Sequence, residues 1–156
     1  MTIIDIHTGG VWQDTATNLV PHVRPEFQCF ISGLLDNGRI VTVATFSTQT
    51  DLILDVIQKA IQHERVDSIA VFGGDDTIAG FERGKQSQLY HSIQYANQDY
   101  TTAQNSAHPQ IAQTTILSTL LVDDDPTNIE VAIAAGYKTM QYIPGQSLLS
   151  SKFSQL

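Results

Sequence analysis

Apolar residues recur along the chain at two spacings, one typical of amphipathic helices and the other of buried strands. Over residues 25–35 they fall at i, i+3, i+4, i+7 and i+8, on one face of a helix that Pro25 can open. Similar spacing predicts helices over residues 53–61 and 126–135, and another helix from Lys85 onward. Short, uncharged runs rich in β-branched residues predict strands over residues 40–45, 68–72 and 115–122, and a fourth strand is predicted over residues 138–142.

The alternation of helices and strands predicts the fold class. Helices that alternate with uncharged strands form βαβ units, whose strands assemble into a mostly parallel sheet with helices on both faces. We therefore expect a three-layer, Rossmann-like α/β domain over residues 1–145, followed by a loosely held tail over residues 146–156. Ligands of such sheets bind beyond the carboxyl ends of the strands, so the residues that follow each strand are the functional candidates.

Composition and charge narrow the range of partners. The chain has 156 residues, of which 42% are hydrophobic, and its 8 basic and 16 acidic residues give a net charge of −8. Such a surface repels nucleic acid and anionic membranes, so we expect neither as a partner. The single cysteine excludes an intramolecular disulfide, and no apolar run approaches the roughly 20 residues that span a bilayer. These features favour a cytoplasmic protein.

The acidic cluster Asp123, Asp124 and Asp125 is the strongest chemical signal in the sequence. It directly follows the apolar residues of a predicted strand, where carboxylates need a compensating partner. A divalent cation such as Mg²⁺, which prefers oxygen ligands, is a common partner. The alternative is a solvated turn in which Asp124 or Asp125 caps the helix that Pro126 opens. Both interpretations remain open on this cluster alone.

Two further candidate residues precede the acidic cluster, one at a predicted strand end and one at a predicted helix start. Asp123 and Asp124 are followed by Asn128 and a helix, Thr45 ends the strand predicted over residues 40–45, and Lys85 follows Gly84 at the start of a helix. Thr45, Lys85 and the segment around Asp123 resemble, respectively, the second, third and fourth motifs of the haloacid dehalogenase superfamily. They follow one another along the chain in the superfamily's order. The resemblance covers roughly residues 20–145.

This resemblance implies a Mg²⁺-dependent phosphohydrolase with a phosphatase activity. It implies that Thr45 donates a hydrogen bond to a phosphoryl oxygen and that Lys85 neutralises the nucleophile and the transferring phosphate. Phe46 would bind substrate together with these two residues. Asp124 would ligate Mg²⁺, with Asp123 alongside as support.

The lengths of the connecting segments indicate an open site. Residues 9–23 leave room only for a flap and residues 73–84 only for a modest loop, so no large cap is expected, although residues 97–113 are long enough to cover the site. An open site favours a bulky phosphorylated substrate, either a phosphorylated small molecule or a phosphoprotein.

The superfamily's first motif, Asp-x-Asp-x-Thr after an apolar strand, is not intact. In the favoured alignment residues 2–4 form the end of this motif, and its aspartates would precede the chain. In the other alignment residues 2–4 are a shortened strand, Asp5 is the nucleophile, His7 is the acid/base and Gly9 replaces the threonine. We therefore expect an impaired phosphohydrolase, the alternative being an inactive domain of the same fold that acts as a binding or interaction module.

Overall fold

Residues 3–6, 10–74, 83–98 and 113–145 are described by the computed structural model, and in these ranges the chain is a mixed α/β structure. Its helices are α1 (Ala16–Leu19), α2 (Pro25–Asp36), α3 (Thr50–Ala60), α4 (Gln86–Ala96) and α5 (Pro126–Ala134). Its strands are β1 (Thr42–Ala44), β2 (Ala70–Phe72), β3 (Leu120–Asp123) and β4 (Lys138–Gln141). The predicted tail over residues 146–156, and most of the predicted loops over residues 73–84 and 97–113, lie outside the described ranges.

Helix α2 shows how the apolar spacing produces the predicted helices. Pro25 occupies its first turn, and the side chains at the predicted inward positions Phe27, Phe30, Ile31 and Leu35 are buried. The helix ends at Asp36, two residues before Gly38, whose φ of 70° is one that glycine adopts without strain. The predicted helices are confirmed to within a few residues at each end.

The strands form two parallel pairs. In the first pair Val43 of β1 lies opposite Val71 of β2, and in the second Leu121 of β3 lies opposite Thr139 of β4. Within the described ranges the two pairs share no strand-to-strand hydrogen bond. The prediction of a parallel α/β structure is confirmed, whereas the described strands form two pairs in place of one continuous sheet.

Two predicted β-prone segments have other conformations. The strand predicted over residues 115–122 begins only at Leu120, because Ile116–Ser118 is a 3₁₀ turn. The backbone N–H of Thr115 donates to the Ser118 hydroxyl at 2.8 Å, and such local side-chain bonds compete with strand formation. Near the N-terminus, where the second alignment places a shortened strand over residues 2–4, Ile4 forms only an isolated antiparallel bridge with Val23.

The core is built from apolar side chains that join each strand pair to its helices. One buried cluster links α2, α3 and the first pair through Ile31, Leu35, Val41, Val43, Ile57, Ile61 and Ile69. Another links α4, α5 and the second pair through Leu89, Leu121, Ile129, Ala132 and Tyr137. Fully burying a valine, leucine or isoleucine side chain contributes about 1.5–3 kcal/mol, so the aliphatic members of both clusters stabilise the packing of the strand pairs on the helices. No helix in the described ranges is long and apolar enough to cross a membrane.

A buried tyrosine ties the end of the second strand pair to the start of α2. Tyr142, which follows β4, packs edge-on against Phe27 with ring centroids 4.9 Å apart, and its hydroxyl donates to Glu26 Oε1 at 2.6 Å. This hydrogen bond is the main reason why the pKa of Glu26 lies below its usual value. Burial is the main reason why the pKa of Tyr142 lies above its usual value.

We expect Tyr142→Phe to lower the free energy of unfolding by about 1.5 kcal/mol at neutral pH, because it removes a hydrogen bond to a charged acceptor. The pKa of Glu26 is lowered in the fold, so its contribution is present above the usual glutamate pKa and is lost as pH falls through the folded value. Urea denaturation at several pH values should therefore show that the difference in free energy of unfolding between wild type and Tyr142→Phe narrows below about pH 4.

The matched control is Tyr137→Phe. Tyr137 is also buried, and burial alone raises the pKa of its hydroxyl. Removing the Tyr137 hydroxyl should leave the pH dependence of the free energy of unfolding in acid unchanged. A gap between wild type and Tyr142→Phe that stays constant down to about pH 3 would contradict the role assigned to Glu26.

Candidate functional site

A cavity of about 1310 Å³ lies between the two strand pairs. It reaches the carboxyl ends of β1 and β3, the strand of each pair that lines it. Thr45 and Phe46, which follow β1, line it on one side, and Asp123 and Asp124, at the end of β3, line it on the other. Lys85, directly before α4, also contributes to the wall. The structure thus brings the candidate residues from three strand and helix ends to one cavity.

Asp123 is the electrostatic centre of this cavity. The residue is 1% exposed, and its Oδ2 lies 2.7 Å from Lys85 Nζ. Its Oδ1 accepts a hydrogen bond from the backbone N–H of Asp125 at 2.8 Å, while the side-chain amide of Asn128 lies 3.3 Å from each carboxylate oxygen. A buried carboxylate is costly unless it is paired and hydrogen-bonded, and here both conditions are met.

The backbone before α4 delivers Lys85 to this carboxylate. Gly84 adopts a φ of 58°, and a Cβ at this position would lie 3.3 Å from Val131 of α5. A glycine therefore lets the chain pass close to α5 in a left-handed conformation. Lys85 is 15% exposed in its side chain, and its Nζ also lies 5.8 Å from the centre of the Phe46 ring, within cation–π range.

Thr45 lies where β1 turns toward α3. Its backbone N–H extends the pairing with β2 by donating to the carbonyl of Phe72 at 2.9 Å. Its hydroxyl oxygen accepts from the backbone N–H of Ser47 at 3.1 Å, which fixes the turn. A threonine hydroxyl that accepts one bond still has its proton to donate, so Thr45 can offer a hydrogen bond to an anion in the cavity. Phe46 is 59% exposed beside it.

The three acidic residues of the cluster have different environments. Asp125 is the N-cap of α5, because its Oδ1 accepts from the backbone N–H of Thr127 at 2.8 Å. The helix-cap interpretation is therefore confirmed for Asp125. Asp123 is buried and paired with Lys85, whereas Asp124 is half-buried on the cavity wall.

The remaining acidic pair can be compared with what Mg²⁺ requires. Among the residues that the structure describes, no group of three or more His, Cys, Asp or Glu side chains is placed to hold a metal ion. Mg²⁺ commonly uses only one or two protein carboxylates, with waters and phosphate as its other ligands. Asp124 lies on the cavity wall beside Asp123, whose carboxylate oxygens accept hydrogen bonds from the Asp125 backbone and the Asn128 amide.

Asp5, the nucleophile of the second alignment, is not brought to the cavity. Its side chain is 49% exposed and its Oδ1 lies 2.9 Å from Nδ1 of His22. The neighbouring Ile3 and Ile4 line the cavity, but Asp5 does not. Thr2, His7 and Gly9, which complete the two alignments, lie outside the described ranges.

The structure adds two contacts that spacing along the sequence does not predict. Asn128 contacts Asp123 from the first turn of α5. The sequence indicates Asn128 only as part of the segment that resembles the fourth motif. Gln49 Oε1 accepts from the backbone N–H of Trp12 at 2.6 Å, and Gln49 Nε2 donates to the Trp12 carbonyl at 2.9 Å. This amide holds the segment that carries Val11, a cavity residue that is 62% exposed.

Comparison of the chain with protein-family models, with curated proteins and with solved structures gives no match. The function is therefore inferred from the site itself.

Proposed function

We propose that the chain is a haloacid dehalogenase-like, Mg²⁺-dependent phosphohydrolase domain of the cytoplasm, with a three-layer Rossmann-like fold, whose activity is impaired by the absence of an intact nucleophile motif. The observation that carries this proposal is the Lys85–Asp123 pair, with Nζ and Oδ2 2.7 Å apart, in the cavity that Thr45 and Asp124 also line. These four residues come from three separate parts of the chain, so their common location supports a shared task.

The residues at this end of the cavity suit the binding of a phosphoryl group. An ammonium carries three donors, so Lys85 can contact Asp123 and a phosphate oxygen together. Thr45 donates from the opposite side of the cavity through its hydroxyl proton. Phe46 offers an exposed ring to the rest of the substrate, a phosphorylated small molecule or a phosphoprotein. A Mg²⁺ ion on Asp124 would polarise a phosphoryl oxygen.

We expect the purified chain to show little turnover of p-nitrophenyl phosphate in the presence of Mg²⁺. Positioning groups without a nucleophile leave most of the rate enhancement unrealised. Robust Mg²⁺-dependent hydrolysis that disappears in Asp5→Asn would show that Asp5 is the nucleophile and that the second alignment holds.

Phosphate recognition is tested separately from turnover, with inorganic phosphate as the probe in a calorimetric titration. Thr45→Val should weaken binding about tenfold, because it removes one hydrogen bond to a charged ligand while nearly preserving side-chain volume. The control is Thr127→Val on α5, which does not line the cavity and should bind phosphate normally. Equal binding by wild type and Thr45→Val would contradict the role of Thr45.

We expect Mg²⁺ at millimolar concentration to raise the melting temperature slightly, and Asp124→Asn to abolish this shift. The gain follows RT ln(1 + [L]/Kd), so a weak site stabilises the fold only when the ion concentration exceeds its dissociation constant. Asp125→Asn is the matched control, since it also removes one charge from the cluster while asparagine still caps the helix. A shift that survives Asp124→Asn would place the ion elsewhere.

The alternative function, an inactive domain that binds a partner or metabolite, is favoured by the position of Asp5. The side chain of this candidate nucleophile does not line the cavity, and its Oδ1 lies 2.9 Å from Nδ1 of His22. Failure to bind inorganic phosphate, together with the absence of turnover, would select this alternative.

A further inference from the structure

Phe46 differs from the other phenylalanines that the structure describes. Phe27, Phe30 and Phe72 pack against other aromatic rings, with ring centroids 4.9 to 6.3 Å apart. Phe46 is 59% exposed, and no ring within the described ranges pairs with it. Burial of a phenylalanine side chain is favourable, so this ring offers apolar surface that a ligand can cover.

The Phe46 ring lies beside the residues proposed to bind phosphate. Phe46 follows Thr45 directly, and its ring centre lies 5.8 Å from Lys85 Nζ. All three residues line the same cavity. A phosphate group held by Lys85 and Thr45 would therefore have an exposed aromatic ring next to it.

The length of a phosphate ester determines which ligand group can reach this ring. In an aryl phosphate a single oxygen joins phosphorus to the aromatic ring, so the ring lies within a few ångströms of the phosphate. A ligand whose phosphate contacts Lys85 Nζ can thus place its ring beside Phe46. Aromatic rings attract each other at centroid separations of about 4.5–7 Å, in offset-stacked or edge-to-face arrangements.

A second exposed apolar side chain of the cavity is held to the turn that carries Phe46. Val11 is 62% exposed and lines the cavity. The backbone of its neighbour Trp12 donates its N–H to Gln49 Oε1 at 2.6 Å, and its carbonyl accepts from Gln49 Nε2 at 2.9 Å. Gln49 follows Phe46 by three residues, so its amide couples the segment of Val11 to the turn of Phe46.

The charges of the cavity favour a ligand whose ring carries no further negative group. Asp123, Asp124 and Asp125 all line the cavity. A ligand with additional phosphates or carboxylates would bring more negative charge close to these residues. A neutral aromatic ring avoids this repulsion.

We propose that Phe46 and Val11 form a subsite for an aromatic ring and that the ligand of the cavity is an aryl phosphate, the phosphate monoester of an aromatic hydroxyl. This inference rests on the proposed phosphate site at Thr45 and Lys85 and names the group that its ligand carries. Phe46 contacts the ring through its π face or edge, and Val11 adds apolar contact. Gln49 is a positioning residue that holds the segment of Val11 in place.

Phenyl phosphate and cyclohexyl phosphate are the probes, and their affinities for the full chain are measured by calorimetric titration. The two esters have rings of similar size, but only one ring is aromatic. At about pH 8 both esters carry close to two negative charges, so charge does not separate them. We expect phenyl phosphate to bind about fivefold more tightly than cyclohexyl phosphate, because aromatic contact adds to the burial of apolar area.

The same substitution at two phenylalanines tests where this preference arises. Phe46→Leu should bring the ratio of the two dissociation constants to about one, because leucine keeps an apolar side chain but has no aromatic ring. Phe72→Leu is the matched control. Phe72 does not line the cavity, so this variant should retain the roughly fivefold preference.

Gln49→Ala tests the positioning role separately. It should weaken both esters about threefold relative to inorganic phosphate and keep the preference for phenyl phosphate, because Val11 contributes apolar contact without an aromatic ring. An equal loss for inorganic phosphate would show that Gln49 acts on the phosphate end and would overturn its assignment to the ring subsite. Circular dichroism checks that all variants are folded.

The aromatic ring can belong to a small molecule or to a phosphotyrosine side chain, since both carry the same ester. A short peptide with phosphotyrosine between alanines distinguishes these sources. Tighter binding of the peptide than of phenyl phosphate would identify a phosphorylated protein as the source. Weaker binding of the peptide would identify a small aryl phosphate.

Equal binding of phenyl and cyclohexyl phosphate by the wild type, or a preference that survives Phe46→Leu, would overturn the aryl subsite. If inorganic phosphate then still binds and Thr45→Val weakens it, the phosphate site stands and only the aryl assignment fails. If neither the esters nor inorganic phosphate binds, the proposed phosphate site fails and the aryl subsite fails with it.

Discussion

Replacing Lys85 with methionine is expected to lower the free energy of unfolding by about 3–5 kcal/mol. The substitution leaves the Asp123 carboxylate, 1% exposed, without the ammonium that lies 2.7 Å from it. The remaining hydrogen bonds from Asp125 and Asn128 solvate this charge only in part. Chemical denaturation monitored by circular dichroism measures the effect directly.

Two further variants show whether the loss comes from the unpaired charge. Lys138→Met removes an exposed lysine from the start of β4 and should change stability by less than about 0.5 kcal/mol. The double variant Lys85→Met/Asp123→Asn removes both charges and should recover much of the lost stability, because an amide is cheaper to bury than a carboxylate. A double variant less stable than Lys85→Met alone would contradict this account.

The local elements follow from local chemistry, which is why the sequence predicts them well. The helical spacing of apolar residues over 25–35 and the proline at its start depend only on neighbours within a few turns, and α2 forms there. The β-branched run before Thr45 likewise contains β1. Where a hydroxyl can bond to nearby backbone, as at Thr115 and Ser118, this local pattern misleads, and a 3₁₀ turn replaces the first part of the predicted strand.

The contacts that build the candidate site are long-range, and spacing alone does not specify them. The sequence proposes Lys85 and Asp123 separately, but their pairing depends on how α4 and β3 pack in the fold. The sequence also treats the acidic cluster as one feature, whereas the structure divides it into a buried ion pair and a helix cap at Asp125. Strand pairing is the hardest feature to predict, since partners far apart along the chain decide it.

Gly73 should be the glycine least tolerant of a side chain near the site. It follows β2, and a Cβ built on it would lie 2.5 Å from the carbonyl oxygen of Ser47 and 2.6 Å from Thr45 Cγ2. Backbone cannot yield as the end of a flexible side chain can, so the turn that carries Thr45 must move. We expect Gly73→Ala to lower the free energy of unfolding by about 1–3 kcal/mol and to weaken binding of inorganic phosphate.

Gly33→Ala provides a control with the opposite expected sign. Gly33 lies in the interior of α2, and a Cβ there would meet no atom within 4 Å. Alanine at this position should raise stability by about 0.5–1 kcal/mol, because glycine is the poorer helix former. Chemical denaturation of both variants and wild type tests whether the two substitutions change the free energy of unfolding in opposite directions. A Gly73→Ala protein as stable as Gly33→Ala would show that the Thr45 turn and β2 are not packed as closely as the 2.5 Å approach requires.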